Sequence, residues 1–267
     1  MRKCLLIIDP QNDFCDKKGS LFVPGANEDI KKISKFIKNN KGSIDSIFVS
    51  IDTHNSYDIA HPDFWVDKDG NKPAPFTAIT IGDFKAGKYK PFFSVFSNWT
   101  EEYLTQLEKN NRFTHVIWPP HCLSNSWGWQ IPAKLNRALY AWEDFKFLGR
   151  KVSYHKKGEN IFTENYSLFE AEVPYPEDIN THFNASLATI ITGFDKIYIA
   201  GEARTHCVMN SVKSLVDKYG DKVVRKIVIL YDAMSDVQAP GAVPAADMFF
   251  SELEARGMSF RSTKEKL

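Results

Sequence analysis

Asp9, Lys157 and Cys207 are the three side chains from which a covalent reaction could be built: a carboxylate to carry a proton, a cation to hold charge and a thiol to attack. Cys207 follows a Gly201-Glu202-Ala203 turn and opens a stretch with helical spacing, Val208 to Tyr219. At the head of a helix its thiolate is expected to be stabilised by unpaired amides and the dipole. The same amides can hold an oxyanion that develops beside the sulfur. An isolated cysteine more often packs as a small hydrophobe, and Asp9 and Lys157 taken singly read as a cap and a surface charge. A second group is Asp52-Thr53-His54, whose alternate side chains share one side of an extended backbone. His121 would complete a two-histidine, one-carboxylate set with open positions for water or substrate. A lone Asp-x-His is more often a surface pair, and the same set could hold ferrous iron in an oxygenase. That rival leaves Cys207 unexplained.

Each of these groups follows an apolar run of strand length. Leu5 to Ile8 ends at Asp9, Ser46 to Ile51 ends at Asp52, and His115 to Trp118 precedes His121. Lys196 to Ala200 leads into the Cys207 turn, and Lys226 to Tyr231 reads as a further strand. Helical stretches lie between, with Ile30, Ile33, Phe36 and Ile37 on one face of the first. Short apolar strands alternating with helices predict a three-layer α/β/α fold with a mainly parallel sheet, and such sheets present ligands at their carboxyl ends. The expected organisation is a single domain over 1–267. Residues 55–96, rich in Pro, Gly, Asp and Lys, are expected to form a long irregular insertion serving as a lid or binding loop.

Taken in order, the motifs Asp9-Pro10-Gln11-Asn12-Asp13-Phe14, Asp52-Thr53-His54, Trp118-Pro119-Pro120-His121-Cys122, Lys157-Gly158 with Tyr166-Ser167-Leu168-Phe169, and Gly201 to Cys207 carry a resemblance. The chain resembles the isochorismatase-like cysteine hydrolases, in their nicotinamidase (pyrazinamidase) branch, from Leu5 to about Asp232. The resemblance implies a catalytic triad of Asp9, Lys157 and Cys207 and a cis Glu202–Ala203 peptide. It also implies an oxyanion hole from the amides of Ala203 and Cys207. Asp52, His54 and His121 match the family's ligands for one divalent metal ion, zinc, manganese or iron, and Glu164 matches an acid that contacts metal-bound water. Phe14, Trp118 and Tyr166 match the walls of the substrate pocket, where His206 replaces a tyrosine common in the branch. The activity implied is deamidation of nicotinamide to nicotinate and ammonia in NAD salvage. The alternative is a related cysteine hydrolase for another small amide or ureido compound, because Glu202, Arg204 and His206 depart from the usual turn. Glu202 and Arg204 read as pairing with each other or with neighbouring segments, and His61 as a loop histidine that could serve the metal or the pocket, though such a histidine more often does neither.

Composition narrows the partners. The 267 residues are 43% hydrophobic and 25% charged, with 34 Lys plus Arg against 33 Asp plus Glu and a formal charge of +1. No nucleic acid is expected from that balance, nor a membrane partner, since no apolar stretch approaches spanning length. A small-molecule amide is the expected partner, with self-association into a homo-oligomer open. Cys4, Cys15, Cys122 and Cys207 lie far apart without Cys-x-x-Cys spacing and read as reduced thiols in the cytoplasm.

Overall fold

In a computed structural model describing residues 1–110, 113–147 and 149–267, six strands form one wholly parallel sheet. They are β1 (Lys3–Ile8), β2 (Ser46–Asp52), β3 (Ser153–Lys157), β4 (Lys196–Gly201), β5 (Ile227–Leu230) and β6 (Ser259–Arg261), in the spatial order β6-β5-β4-β1-β2-β3. Alternation along β1 sends Leu5 and Ile7 to one face and Cys4, Leu6 and Ile8 to the other. The first face packs on helices α1 (Ala26–Asn40) and α2 (Ala133–Glu143), through Ile33, Ile37, Leu139 and Trp142. The second packs on α3 (Ala185–Thr192), α4 (Met209–Tyr219) and α5 (Ala242–Ala255), through Ile191, Val212, Leu215 and Phe250. This is the three-layer arrangement that the alternating runs predicted.

The chain builds β1, β2 and β3 outward in one direction and then returns to place β4 on the other side of β1. The sheet therefore reverses between β1 and β4, where a crevice opens at the carboxyl ends of the strands. Asp9 follows β1, Asp52 ends β2, Lys157 ends β3 and Cys207 follows β4. Register completes the placement, because Asp52 and Lys157 are direct cross-strand partners. Gly201 faces Ile8 in the β1–β4 pairing at φ +117°, and a Cβ there would sit 2.1 Å from the Ile8 carbonyl oxygen. Only glycine permits so close an approach of the two strands.

Two expectations are corrected. His115 to Trp118 is not a strand of the main sheet: His115–Val116 pairs antiparallel with Ala78–Ile79 instead. A four-residue apolar run does not say which sheet receives it, and the position next to β2 is taken by Ser153–Lys157, polar enough to be an edge. The 55–96 segment is not irregular throughout. Trp65–Asp67 pairs with Tyr89–Pro91, and Thr80 and Asp83 make a capping box on the short helix Ile81–Lys85. Phe64, Trp65 and Ile79 bury a small core of their own with Tyr103 and Leu104. Strands of two or three residues are too short to show a period, so the pattern was invisible.

Candidate active site

Asp9 lies one residue beyond β1, wholly buried, with φ +42°, a conformation that aspartate tolerates better than bulky residues. Ser50 on β2 fixes it twice: its Oγ accepts from the Asp9 amide at 2.9 Å and donates to Oδ1 at 2.5 Å. Oδ2 lies 3.1 Å from Lys157 Nζ and makes no well-aligned hydrogen bond, leaving it free toward the thiol that the carboxyl faces. Lys157 Nζ also donates to Asp52 Oδ1 at 2.9 Å and to the Asn165 carbonyl at 2.6 Å, and stands 3.8 Å from Cys207 Sγ. One cation thus joins both carboxylates and the sulfur.

Electrostatics decide the resting protonation. Burial pulls the Lys157 ammonium down, but Asp52 and Asp9 together outweigh it and hold the group well above its ordinary value. Burial raises the Asp9 carboxyl, with Lys157 opposing. Burial also pushes the Cys207 thiol well up; Lys157 offsets part of this, while Asp9 and Asp52 add to it. The nucleophile therefore rests as a thiol beside its base. Burial and the two carboxylates thus work against the thiolate that a helix terminus favours, while Lys157 supports it. Cys207 sits inside one wide π-type turn, Arg204–Val208, and regular α-helix begins only at Met209. Such turns recur at functional sites. The turn enters through a cis Glu202–Ala203 peptide. Its amides at His206 and Val208 donate to the Ala203 carbonyl and that of Arg204 to Ser235, while Ala203 and Cys207 line the pocket.

On the other side of Lys157, Asp52, His54 and His121 bring one ligand atom each to within 4.8 Å of one another. His54 Nε2 is 3.1 Å and His121 Nε2 3.5 Å from Asp52 Oδ2. The opposite ring nitrogens are occupied. His54 Nδ1 is 3.0 Å from Asp58 Oδ2, and His121 Nδ1 is 2.9 Å from the Pro119 carbonyl and 3.2 Å from His61 Nε2. Assigned from this network, both Nδ1 atoms donate outward and both Nε2 atoms turn inward, as orienting partners of metal-bound histidines do. Burial works against a charge on His54, but Asp52 and Asp58 outweigh it and hold the ring well above its ordinary value. Two imidazole nitrogens and one carboxylate oxygen this close together are a donor set that fits a divalent ion. His61 is wholly buried, donates from Nδ1 to the Asn55 carbonyl at 3.0 Å and steadies His121. Replacing Asp58 with alanine is expected to lower metal affinity about 10- to 100-fold. A metal titration showing unchanged affinity would mean that His54 needs no orienting partner.

Lys157 and Cys207 of the first group and Asp52 and His121 of the second line one pocket of about 30 Å³, together with Phe14, Trp118, Glu164, Tyr166 and His206 among others. Phe14 meets the His121 ring edge-on at 5.4 Å, and Trp118 Nε1 donates to the Tyr166 hydroxyl at 3.1 Å. Burial raises the Glu164 carboxyl, with His54 pulling it down. No family model matches the chain. Nicotinamidase of Saccharomyces cerevisiae is 26% identical over 206 residues, 77% of each chain. The crystal structure of the yeast nicotinamidase bound to the inhibitor nicotinaldehyde matches with a TM-score of 0.66 at 22% identity, over 97% of this chain and 99% of that one. The chain shares the fold of that nicotinamidase structure. The pyrazinamidase of Pyrococcus horikoshii, in complex with zinc, shares this fold at a TM-score of 0.55 and 18% identity, over 98% of this chain and 99% of that one.

Within that fold some residues are new. Of the two pairings expected for Glu202 and Arg204, the structure has the one with neighbouring segments. Glu202 Oε2 accepts from the Ser235 amide at 3.0 Å, and Arg204 grips Asp236 at 2.8 and 2.9 Å and Asp247 at 2.7 Å. Neither lines the pocket. Ser50, Asp58 and Gln11 were missed. Gln11 brackets the end of β2, accepting from the Asp52 amide and donating to its carbonyl, both at 2.7 Å. Ser50 had a signal, two residues before Asp52 on the same strand face. Asp58, four residues after His54, had only its spacing.

Proposed function

We propose that this protein is a metal-assisted cysteine amidohydrolase that converts nicotinamide and water to nicotinate and ammonia. The observation that carries this reading is one pocket lined by Cys207 and Lys157 together with Asp52 and His121, with Asp9 held behind it against Lys157 and His54 against Asp52. Asp9 Oδ2 takes the Sγ proton as the sulfur bonds to the carboxamide carbon. The amides of Ala203 and Cys207 stabilise the tetrahedral oxyanion, an effect of about 3–4 kcal/mol for one such donor. The C–N bond breaks, and Asp9 returns the proton to the departing ammonia. Water then adds to the thioester, giving a proton to Asp9, and the sulfur leaves as thiol when that proton comes back. Lys157 keeps its charge throughout and holds Asp9 and the sulfur in reach. Phe14, Trp118 and Tyr166 flank the ring and exclude water. A divalent ion held by Asp52, His54 and His121 would grip the ring nitrogen, orienting the substrate and drawing charge from the ring.

Zinc is the proposed ion, supported by the zinc complex of the similar Pyrococcus protein; manganese or iron would suit the same donors. NAD salvage is the role that this product supports, and four free cysteines suit a reducing cytoplasm. The test is ammonia release from nicotinamide by the metal-loaded protein. The acid limb of kcat/KM is expected above the ordinary carboxylate range of about 3.9, because burial raises Asp9. Activity is present while Asp9 is ionised and falls as pH drops through its raised value. No ammonia release, with substrate bound, would sink nicotinamide as the substrate.

A further inference from the structure

The catalytic pocket does not end at its aromatic wall. Trp118, Tyr166, His206 and Val237 line it on one side and, on the other, line a second and larger groove of about 630 Å³. Among the described residues no Asp, Glu, Lys or Arg lines this groove. Phe76, Phe113, Val116 and Pro240 supply apolar surface, and Ala242 and Ala245 from α5 leave the space open. Phe76 stands at the mouth, 62% exposed, with its ring edge-on to Trp118 at 6.0 Å. Its φ is +68°, an unfavourable conformation for a bulky side chain. An exposed phenylalanine held in that conformation over a groove is surface kept for a ligand rather than for the core. The threshold is also uncharged. Burial lowers the His206 imidazole to about 4, its Nδ1 lies 2.9 Å from Thr205 Oγ1, and its ring stacks on Phe113 at 5.3 Å.

We infer that the groove is a second subsite that receives an apolar, uncharged substituent on the ring of the carboxamide substrate. The inference rests on the amidase reading for which end of the molecule enters first. With the carboxamide at Cys207 and the ring nitrogen toward the metal ligands, ring carbon 5 of nicotinamide is meta to both anchors. It points away from them, past Trp118 and Tyr166. The inner pocket is too tight for more than a small flat head, so a substituent on that carbon must enter the groove. Apolar walls and flanking aromatic rings favour an aryl or alkyl group there.

The test compares nicotinamide with two isomers, 5-phenylnicotinamide and N-phenylnicotinamide, binding to the metal-loaded Cys207→Ala protein by calorimetry. The 5-phenyl compound is expected to bind at least tenfold more tightly than nicotinamide, and the N-phenyl isomer is not. Adding Ala245→Phe, which fills the groove from α5 without touching the inner pocket, should remove the gain and leave nicotinamide binding unchanged. Phe76→Ala should reduce the gain in the same selective way. Equal binding of nicotinamide and its 5-phenyl derivative, a gain that survives Ala245→Phe, or a gain by the N-phenyl isomer would each overturn the inference. Hydrolysis is read separately with intact Cys207. A binding gain without hydrolysis of either carboxamide would defeat the amidase reading and leave the subsite standing.

Discussion

Replacing Cys207 with alanine is expected to reduce ammonia release on the order of 10⁶-fold, the scale of loss when a triad nucleophile is removed. The sulfur is the one atom of the cluster able to bond to carbon, and its neighbours cannot take over. Asp9 is held by Ser50 and Lys157, and Lys157 is tied to two carboxylates and the Asn165 carbonyl. Metal content and substrate binding should survive, because Asp52, His54 and His121 make no contact that depends on the thiol. A coupled ammonia assay retaining more than about 1% of the rate would show that the chemistry runs without Cys207. Alkylation reports on the same residue. The other cysteines are sealed in the core while Cys207 opens into the pocket, so labelling should be selective and should accelerate as pH rises, since the resting group is a thiol.

The largest effect on stability is expected from Lys157→Met. The ammonium is buried and stands between Asp9 and Asp52, 3.1 and 2.9 Å away. Methionine keeps the length of the side chain and removes the charge, leaving two carboxylates facing each other away from water. Breaking a buried ion pair on one side costs about 3–5 kcal/mol. In the variant both carboxyl groups have raised folded-state values. The deficit should therefore be full at neutral pH and shrink as pH falls toward the ordinary carboxylate value of about 3.9, where protonation relieves the repulsion. Denaturant midpoints of the two proteins across that window measure this. A deficit that does not change with pH would assign the loss to packing. Activity should fall as well, because the cation also stands beside the sulfur.

The placements of Asp9, Asp52 and Cys207 were legible because each follows a run rich in Leu, Ile or Val, and parallel strands put their carboxyl ends together. Leu5–Ile8 and Lys196–Ala200 fixed the centre of the sheet, and with it Asp9 and Cys207. Its edges were not legible. Ser153–Lys157 buries only one face, carries Tyr154 and Lys156 on the other and has no run of Leu, Ile or Val, so it reads as a polar loop. The resting charge of Cys207 was also hidden. A helix start argues for a thiolate, but burial, which no spacing shows, argues more strongly for a thiol. The roles of Asp58 and His61 arise from a chain reversal that brings both back to the metal ligands. That reversal has no periodic signature.

β2 gives the site an unusual economy. Ser50, Asp52 and, just past its end, His54 sit at every second position along one extended stretch. The first holds Asp9, the second holds the lysine and offers one donor of the candidate metal set, and the third offers another. Losing one residue anywhere before Ser50 within β2 would turn all three to the opposite side of the sheet at once. Proton transfer and metal binding are thus inherited as a unit, and drift in this stretch would erase both capacities before either could be refined alone.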